Sequence, residues 1–273
     1  MEQRGPNDIR VTSWNELNDW LFQGTWNAEI GRFRSPFAYR GMGDAGHDLL
    51  TSLARLGEHP GELEGHILRN FRKYASREDV PGDSIWNWLV VAQHHGLPTR
   101  LLDWTYSPYV ALHFVTEHVE EFGNDGVVWM VDYSQTNRLL PTQLKSVLQD
   151  EGSSVFTAEM LERVTPSLRQ FTQLSDDDYV LFFEPPSLDE RIVNQSALFS
   201  LMANPRSRLD GWLERHPEVY RRLLIPVELK WEIRDKLDQA NITERVLYPG
   251  LDGLSRYLRR YYTPNAHRQK RQR

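Results

Sequence analysis

Apolar side chains recur along this chain at two periods, and their alternation lays out an α/β order of elements. Ser13-Trp14-Asn15-Glu16 has the form of a capping box, and Leu17, Trp20 and Leu21 follow at helical spacing, which predicts a helix to about Gln23. Phe37, Ala38 and Tyr39 read as a strand ending at Arg40-Gly41, and GMGDAGHD, which begins at Gly41, reads as a glycine-rich turn. Leu63, Ile67, Phe71 and Tyr74 predict a second helix. A third starts near Ser84, turns Ile85, Trp86, Leu89 and Ala92 inward, and stops at Gly96, which is placed for a left-handed C-cap. His94 and His95 therefore fall in its last turn.

From Thr99 the period drops to two. Thr99, Leu101, Asp103 and Thr105 share one face and Arg100, Leu102 and Trp104 the other, which predicts a strand presenting polar groups to something specific. Ser107-Pro108 then reads as an N-cap and first helical residue, with Val110, Ala111, Phe114 and Val115 on the buried side. A strand followed by a helix N-terminus offers free N–H groups and a positive dipole end to an anion. Further strands are expected over residues 127–133, 179–184, 197–201 and 220–227. Leu229, Ile233 and Leu237 mark a helix, and a last one after Pro249 carries Leu254, Leu258 and Tyr261. Residues 135–178 show weak helical patterns and read as an inserted, mostly helical segment. There is no internal repeat, which excludes solenoids and propellers.

Composition narrows the classes. A chain of 273 residues with 40% hydrophobic content can bury one large core. One α/β domain over residues 1–262 is expected, with a core at 36–134 and 179–250 around the insertion. The absence of cysteine excludes disulfides, thiolate nucleophiles and Cys-ligated zinc. A formal net charge of −6 argues against a chain-wide affinity for nucleic acid. The basic end HRQKRQR is the exception. Residues 263–273 read as a disordered tail, with contact to an acidic partner as the alternative. The opening MEQRGPNDIR is polar, without the pattern of a signal peptide, and no stretch approaches the roughly 20 apolar residues that span a bilayer. A cytoplasmic protein with no membrane partner is expected.

Among candidate chemical groups Arg40 stands first. Its guanidinium offers a planar fork of donors to phosphate or ribose oxygens, and Gly41 and Gly43 beside it would let a ligand approach the backbone. The structural alternative is a pairing of Arg40 with Asp103. Asp103, an acid between Leu102 and Trp104, would either anchor Arg40 or Arg100 or contact a ligand hydroxyl. His94 and His95 point about 100° apart on a helix and have no third ligand at a recognisable spacing, so no metal is expected. Lining of a site by at least one of them, or capping of the helix, is the reading. The chain has no Gly-x-Ser-x-Gly elbow, no Walker loop and no Gly-x-Gly-x-x-Gly.

FAYRG, ending at Gly41, and AQHHGLPTRLLDWTYSPYVALHF, from Ala92 to Phe114, resemble the signature of the FRG domain, a family named for an aromatic-Arg-Gly motif that here reads Tyr39, Arg40, Gly41. RIVNQSALFSL and PGLDGLSRYL fit the same family, and the likeness runs from about Pro36 to Phe199. The order of motifs is similar to that of the ADP-ribosyltransferase superfamily. That likeness implies a split mixed β-sheet with flanking helices and a first strand ending in an Arg or His that grips NAD. It also implies a second strand with a Ser/Thr or aromatic motif, followed by a helix, and a third carrying a catalytic Glu. By motif Arg40 takes the first position, Thr105 and Ser107 the second, and Gln195 the third, where the transferases have Glu. Glu190 and Glu184 are the candidate substitutes. The likeness further implies a nicotinamide or base site lined by Thr99, Asp103, Thr105, Ser107 and His94 or His95, with Tyr109 stacking on a ring. Transfer of ADP-ribose from NAD to a protein or nucleic-acid acceptor, or to water, is the implied activity, and bacterial defence or toxin biology is compatible with it. The alternatives are a non-catalytic nucleotide or peptide sensor, which Gln195 favours, and metal-dependent hydrolysis through His94 and His95.

Overall fold

The computed structural model describes residues 5–57, 59–76 and 80–264. The chain begins with β1 (Asp8–Arg10), α1 (Trp14–Phe22) and a short hairpin of β2 (Trp26–Asn27) and β3 (Arg32–Phe33). It continues through β4 (Phe37–Met42), α2 (Pro60–Tyr74), α3 (Ile85–His94), β5 (Leu101–Thr105), α4 (Pro108–Val115) and β6 (Gly126–Asp132). Then come α5 (Tyr133–Thr136), α6 (Thr142–Glu151), β7 (Phe156–Thr157), α7 (Ala158–Val164), α8 (Leu168–Thr172), β8 (Val180–Glu184), α9 (Glu190–Asn194) and β9 (Ala197–Met202). The last elements are α10 (Leu209–Glu214), β10 (Tyr220–Ile225), α11 (Val227–Gln239), α12 (Glu244–Leu247) and α13 (Leu251–Tyr261).

Eight strands form one mixed sheet in the order β1-β10-β6-β4-β5-β9-β8-β7, with parallel pairs at its two edges and antiparallel pairs between. β4 and β6 pair over six residues, and β5 and β9 over five, but β4 and β5 meet only at Tyr39 and Thr105. The sheet is thus two four-stranded halves joined at a single rung.

Each half is covered on its own terms. Phe37, Tyr39, Val128 and Leu223 face Leu17 of α1, Ala111 and Leu112 of α4 and Ile233 of α11. Ala38, Val127, Trp129 and Leu102 face Leu209 and Trp212 of α10. Phe183, Phe199 and Leu201 bury Trp86 and Leu89 of α3 together with Leu144, Leu161 and Phe171. Residues 135–178 therefore form part of the core of the second half, supplying α6 to α8 and β7, because their apolar residues cover a sheet face that α3 alone leaves open.

Several local expectations are corrected. The α1 capping box is only half formed: Ser13 Oγ accepts from the Glu16 N–H, but the Glu16 carboxylate turns to the Thr12 N–H (2.8 Å) and Oγ1 (2.6 Å). Tyr74 is 79% exposed. The buried line of α2 is Pro60, Glu64 and Leu68, because Arg100, reaching over from β5, ion-pairs with Glu64 and draws an acid into the apolar face. β1, β2, β3 and β7 span two or three residues each and are too short to show a period. Of the tail at 263–273, residues 265–273 lie outside the described residues. Among the described residues no helix is long and apolar enough to cross a membrane.

Candidate functional site

The parting between β4 and β5 creates the site. Continuing the register of Tyr39 and Thr105 would set Arg40 opposite Trp104 and Gly41 opposite Asp103; instead β4 stays with β6 and β5 with β9. The Arg40 side chain bridges the gap, Nη1 donating to the Asp103 carbonyl at 2.5 Å, as a ladder hydrogen bond would in a continuous sheet. Its Nε is buried with no partner. Burial pulls the Arg40 guanidinium below its ordinary pKa, Asp103 opposes that shift, and nearby Arg55 adds to it. The group stays a cation in any case.

A cavity of about 780 Å³ opens there. Its walls are the ends of β4, β5 and β9, the last turn of α3, the C-terminal end of α4, the start of α9 and the segment from Gly46 to Arg55. Of the sequence candidates, Tyr39, Arg40, Gly41, His94, Asp103, Thr105 and Gln195 line it. His95, Thr99, Ser107, Tyr109 and Glu190 do not.

The lining groups are held by a second tier. The Asp103 carboxylate is exposed to the cavity, and both of its oxygens accept from Gln93 Nε2 at 3.1 Å. Gln93 in turn accepts from the buried Thr99 hydroxyl, which fixes the orientation of the amide. Arg100 has its partner in Glu64, so Asp103 anchors neither arginine through its carboxylate. His94 Nε2 lies 2.8 Å from Asp189, whose other oxygen caps α9. Thr105 is buried and donates to the Gln195 carbonyl (2.7 Å), while Gln195 Nε2 donates to the Leu247 carbonyl (3.0 Å). Between α9 and β9, Ser196 adopts φ 47°, a left-handed conformation that costs a non-glycine residue about 1 kcal/mol or more. The Tyr106 N–H, donating to the Ser196 carbonyl (3.0 Å), helps to hold it there.

Other placements differ from the sequence reading. A Cβ at Gly41 would lie 1.8 Å from the carbonyl oxygen of Ala111, so this glycine admits helix α4 rather than a ligand. At Gly43 the near neighbour is the Glu121 carboxylate (1.8 Å), the end of a side chain that can turn away, so the constraint there is looser than at Gly41. The Tyr39 ring points to the opposite face of β4, where its hydroxyl donates to the Leu21 carbonyl (3.0 Å). Ser107 does cap α4, accepting from the Val110 N–H, but α4 runs with its other end to the cavity, where Phe114, Glu117 and His118 line the wall. The dipole end presented there is the negative one. Tyr109 packs on the far side of α4, its ring stacked on Trp14 (6.1 Å) and its hydroxyl donating to Asn18 (2.8 Å). Glu190 is exposed at the start of α9, and Glu184 accepts from the Tyr106 hydroxyl at 2.7 Å.

Lining groups without a signal in the sequence include Arg55 and Glu117, which only the fold brings to the parting, and Arg191, the first residue of the RIVNQSALFSL segment, joins them there. Lys230 of α11 stands behind the rim. Fully buried, it donates to the carbonyls of Gly43 (2.6 Å) and Glu121 (2.8 Å), and burial pushes its pKa down to about 8. The His94 and His95 rings sit 5.3 Å apart and nearly perpendicular at 87°, which does not suit joint ligation. Among the described residues no group of three His, Cys, Asp or Glu could hold a metal ion.

The FRG domain family model matches residues 35–124, a third of the chain, from just before β4 to just short of β6. The α9 and β9 wall, with Arg191 and Gln195, lies outside that match. No curated protein and no solved structure matches the chain.

Proposed function

We propose that this chain, whose residues 35–124 form an FRG domain, binds a nucleotide in the parting of its sheet, with NAD as the substrate and cleavage of its nicotinamide–ribose bond as the chemistry. The observation that carries this is Arg40, held by a carbonyl rather than a carboxylate, with a buried and unpartnered Nε, at the wall of a cavity of about 780 Å³. Such a fork suits phosphate oxygens, which it can bind in pairs. Support also comes from the chain order around the cavity: an arginine on β4, the Thr105 region on β5 and Gln195 before β9, the order that the ADP-ribosyltransferase likeness implies.

In the proposed reaction the C1′–N bond of the NAD ribose breaks, and the electron pair leaves with nicotinamide, which becomes neutral. The acceptor, a protein or nucleic-acid nucleophile or water, attacks C1′ and loses its proton. Positive charge builds on the ribose ring, so a carboxylate near it lowers the barrier. Gln195 carries no charge. Asp103, exposed on the facing wall and steadied by Gln93, supplies a carboxylate close enough to act on Arg40. A second reading, binding without chemistry, is favoured by the neutral Gln195 amide and its tie to Leu247.

The test is titration of NAD against wild type, Arg40→Gln and Asp103→Asn, with nicotinamide release followed in parallel. Loss of one charge-assisted contact at Arg40 predicts about 10-fold to 150-fold weaker binding. Nicotinamide release by wild type that vanishes in Asp103→Asn supports the catalytic form. Binding without release at any protein concentration supports the sensor, and absence of NAD binding overturns both.

A further inference from the structure

The cavity collects arginines that form no ion pair with a carboxylate among the described residues. Arg55 is exposed at the rim and donates through Nη2 to the Leu50 carbonyl (2.9 Å). Arg191 of α9 lies over the Tyr248 ring, its guanidinium carbon 5.1 Å from the centroid. With Arg40 on the Asp103 carbonyl, all three are held by neutral groups, and none makes an ion pair with another described residue. The buried arginines elsewhere, Arg100, Arg234 and Arg260, each have a carboxylate partner.

Four acids, Asp48, Asp103, Glu117 and Glu121, line the same cavity, and three of them have partners other than these arginines. Asp48 pairs with Arg208 (3.0 Å), Asp103 holds Gln93 Nε2, and Glu117 accepts from the Tyr248 hydroxyl (2.7 Å) with Arg256 3.8 Å away. Arginine donors that no carboxylate occupies are open to an anion from outside. Arg40 stands on the β4 wall and Arg191 on the α9 wall, so the anion must reach two separate elements.

We infer that the ligand is a pyrophosphate ester, with one phosphate against Arg40 and the other against Arg191, and that Arg191 is a binding residue that Tyr248 holds in place. This rests on the nucleotide reading above and adds to it a second phosphate subsite at Arg191. Tyr248 suits the task because Arg191 and Arg256 both lie over its ring (5.1 and 4.8 Å) while its hydroxyl is fixed on Glu117. The ring orients Arg191 by cation–π attraction and leaves its N–H donors free of a competing carboxylate. Asn194 and Gln195, at the other end of α9, are tied to the Val246 and Leu247 carbonyls (2.9 and 3.0 Å), so the α12 region fixes the whole wall.

The test measures dissociation constants for ADP-ribose, AMP and adenosine, with inorganic pyrophosphate and phosphate as competitors. The proteins are wild type, Arg40→Gln, Arg191→Ala, Tyr248→Phe and Tyr248→Leu, each with its melting temperature recorded. Wild type is expected to hold ADP-ribose about 10-fold or more above AMP, and pyrophosphate to displace it better than phosphate. Arg191→Ala is expected to weaken ADP-ribose about 10-fold to 100-fold while changing AMP little, so that the two ligands converge. Tyr248→Phe keeps the ring and should stay within about 3-fold of wild type, whereas Tyr248→Leu should follow Arg191→Ala. Unchanged ADP-ribose affinity in a folded Arg191→Ala protein, with Arg40→Gln still weakened, would overturn the second subsite and leave the nucleotide reading standing. Failure of wild type to bind any of the three nucleotides or nucleosides would overturn both.

Discussion

Substitution of Gly41 by alanine separates two meanings of the aromatic-Arg-Gly motif. In the structure a methyl group there lies 1.8 Å from the Ala111 oxygen, 2.7 Å from the Ala111 carbon and 3.1 Å from Val115 Cγ2. Real contacts of this kind stay above about 3 Å, so α4 and β4 must separate by roughly 1 Å. The obstacle is helix backbone, which cannot rotate away as a side chain would, and the contact lies in the layer of Tyr39, Ala111, Leu112 and Val115. Overpacking of a tight core costs 1–3 kcal/mol as a rule, and a backbone clash belongs at the upper end, about 3 kcal/mol. For a chain of this size that corresponds to a melting temperature lower by about 6–12 °C. Gly65→Ala is the control, because Gly65 lies inside α2 with open space around it; the better helix former should stabilise by about 1 kcal/mol. Scanning calorimetry on both variants, with ADP-ribose affinity measured well below melting, decides the matter. A Gly41→Ala protein that melts with wild type but loses ligand would refute the packing argument and return the glycine to the ligand.

Two further outcomes follow from buried charges. Glu64→Ala strands the Arg100 guanidinium with only the Ala203 carbonyl and Thr172 as partners and should cost about 3–5 kcal/mol in urea denaturation, with Glu64→Gln losing less because it keeps a hydrogen-bond acceptor. His113 is fully buried beside Arg234 (2.8 Å), and burial, with Arg234 adding to it, pushes its pKa down to about 3. The unfolded chain then takes up a proton near pH 6.5 that the folded chain refuses, so this stability is full above that pH and falls with acidification. Between pH 7 and pH 5 the loss is about 2 kcal/mol, measurable as a shift in denaturation midpoint that His113→Asn removes.

How much the sequence disclosed depended on the range of the interaction. Apolar spacing found β4, β5, α1, α3 and α4, although α3 is buried all round from Trp86 to Ala92 and β5 is covered on both faces, and the start of α4 at Ser107 and the stop of α3 at Gly96 are set by local backbone chemistry. Arg40, Asp103 and Gln195 reached a common cavity, as residues flanking strand ends will when a sheet parts. Tyr109 and Ser107 did not, because the sequence gives the order of β5 and α4 but not which end of the helix meets the gap. Glu64 defeated hydrophobic pattern analysis, since its burial depends on Arg100, a residue 36 positions away. Arg191 opens the RIVNQSALFSL segment, but its stacking on Tyr248 carries no local signal, because it is made by the return of α12 to the α9 wall.

The most direct measurement is a crystal structure of the wild-type chain grown with ADP-ribose, refined with the ligand omitted until the density is interpreted. Pyrophosphate density in the parting of β4 and β5, within hydrogen-bond distance of Arg40 and reaching Arg191, is the expected result. Ligand density elsewhere on the molecule at saturating ADP-ribose, with the parting closed or filled only by water, would contradict the account.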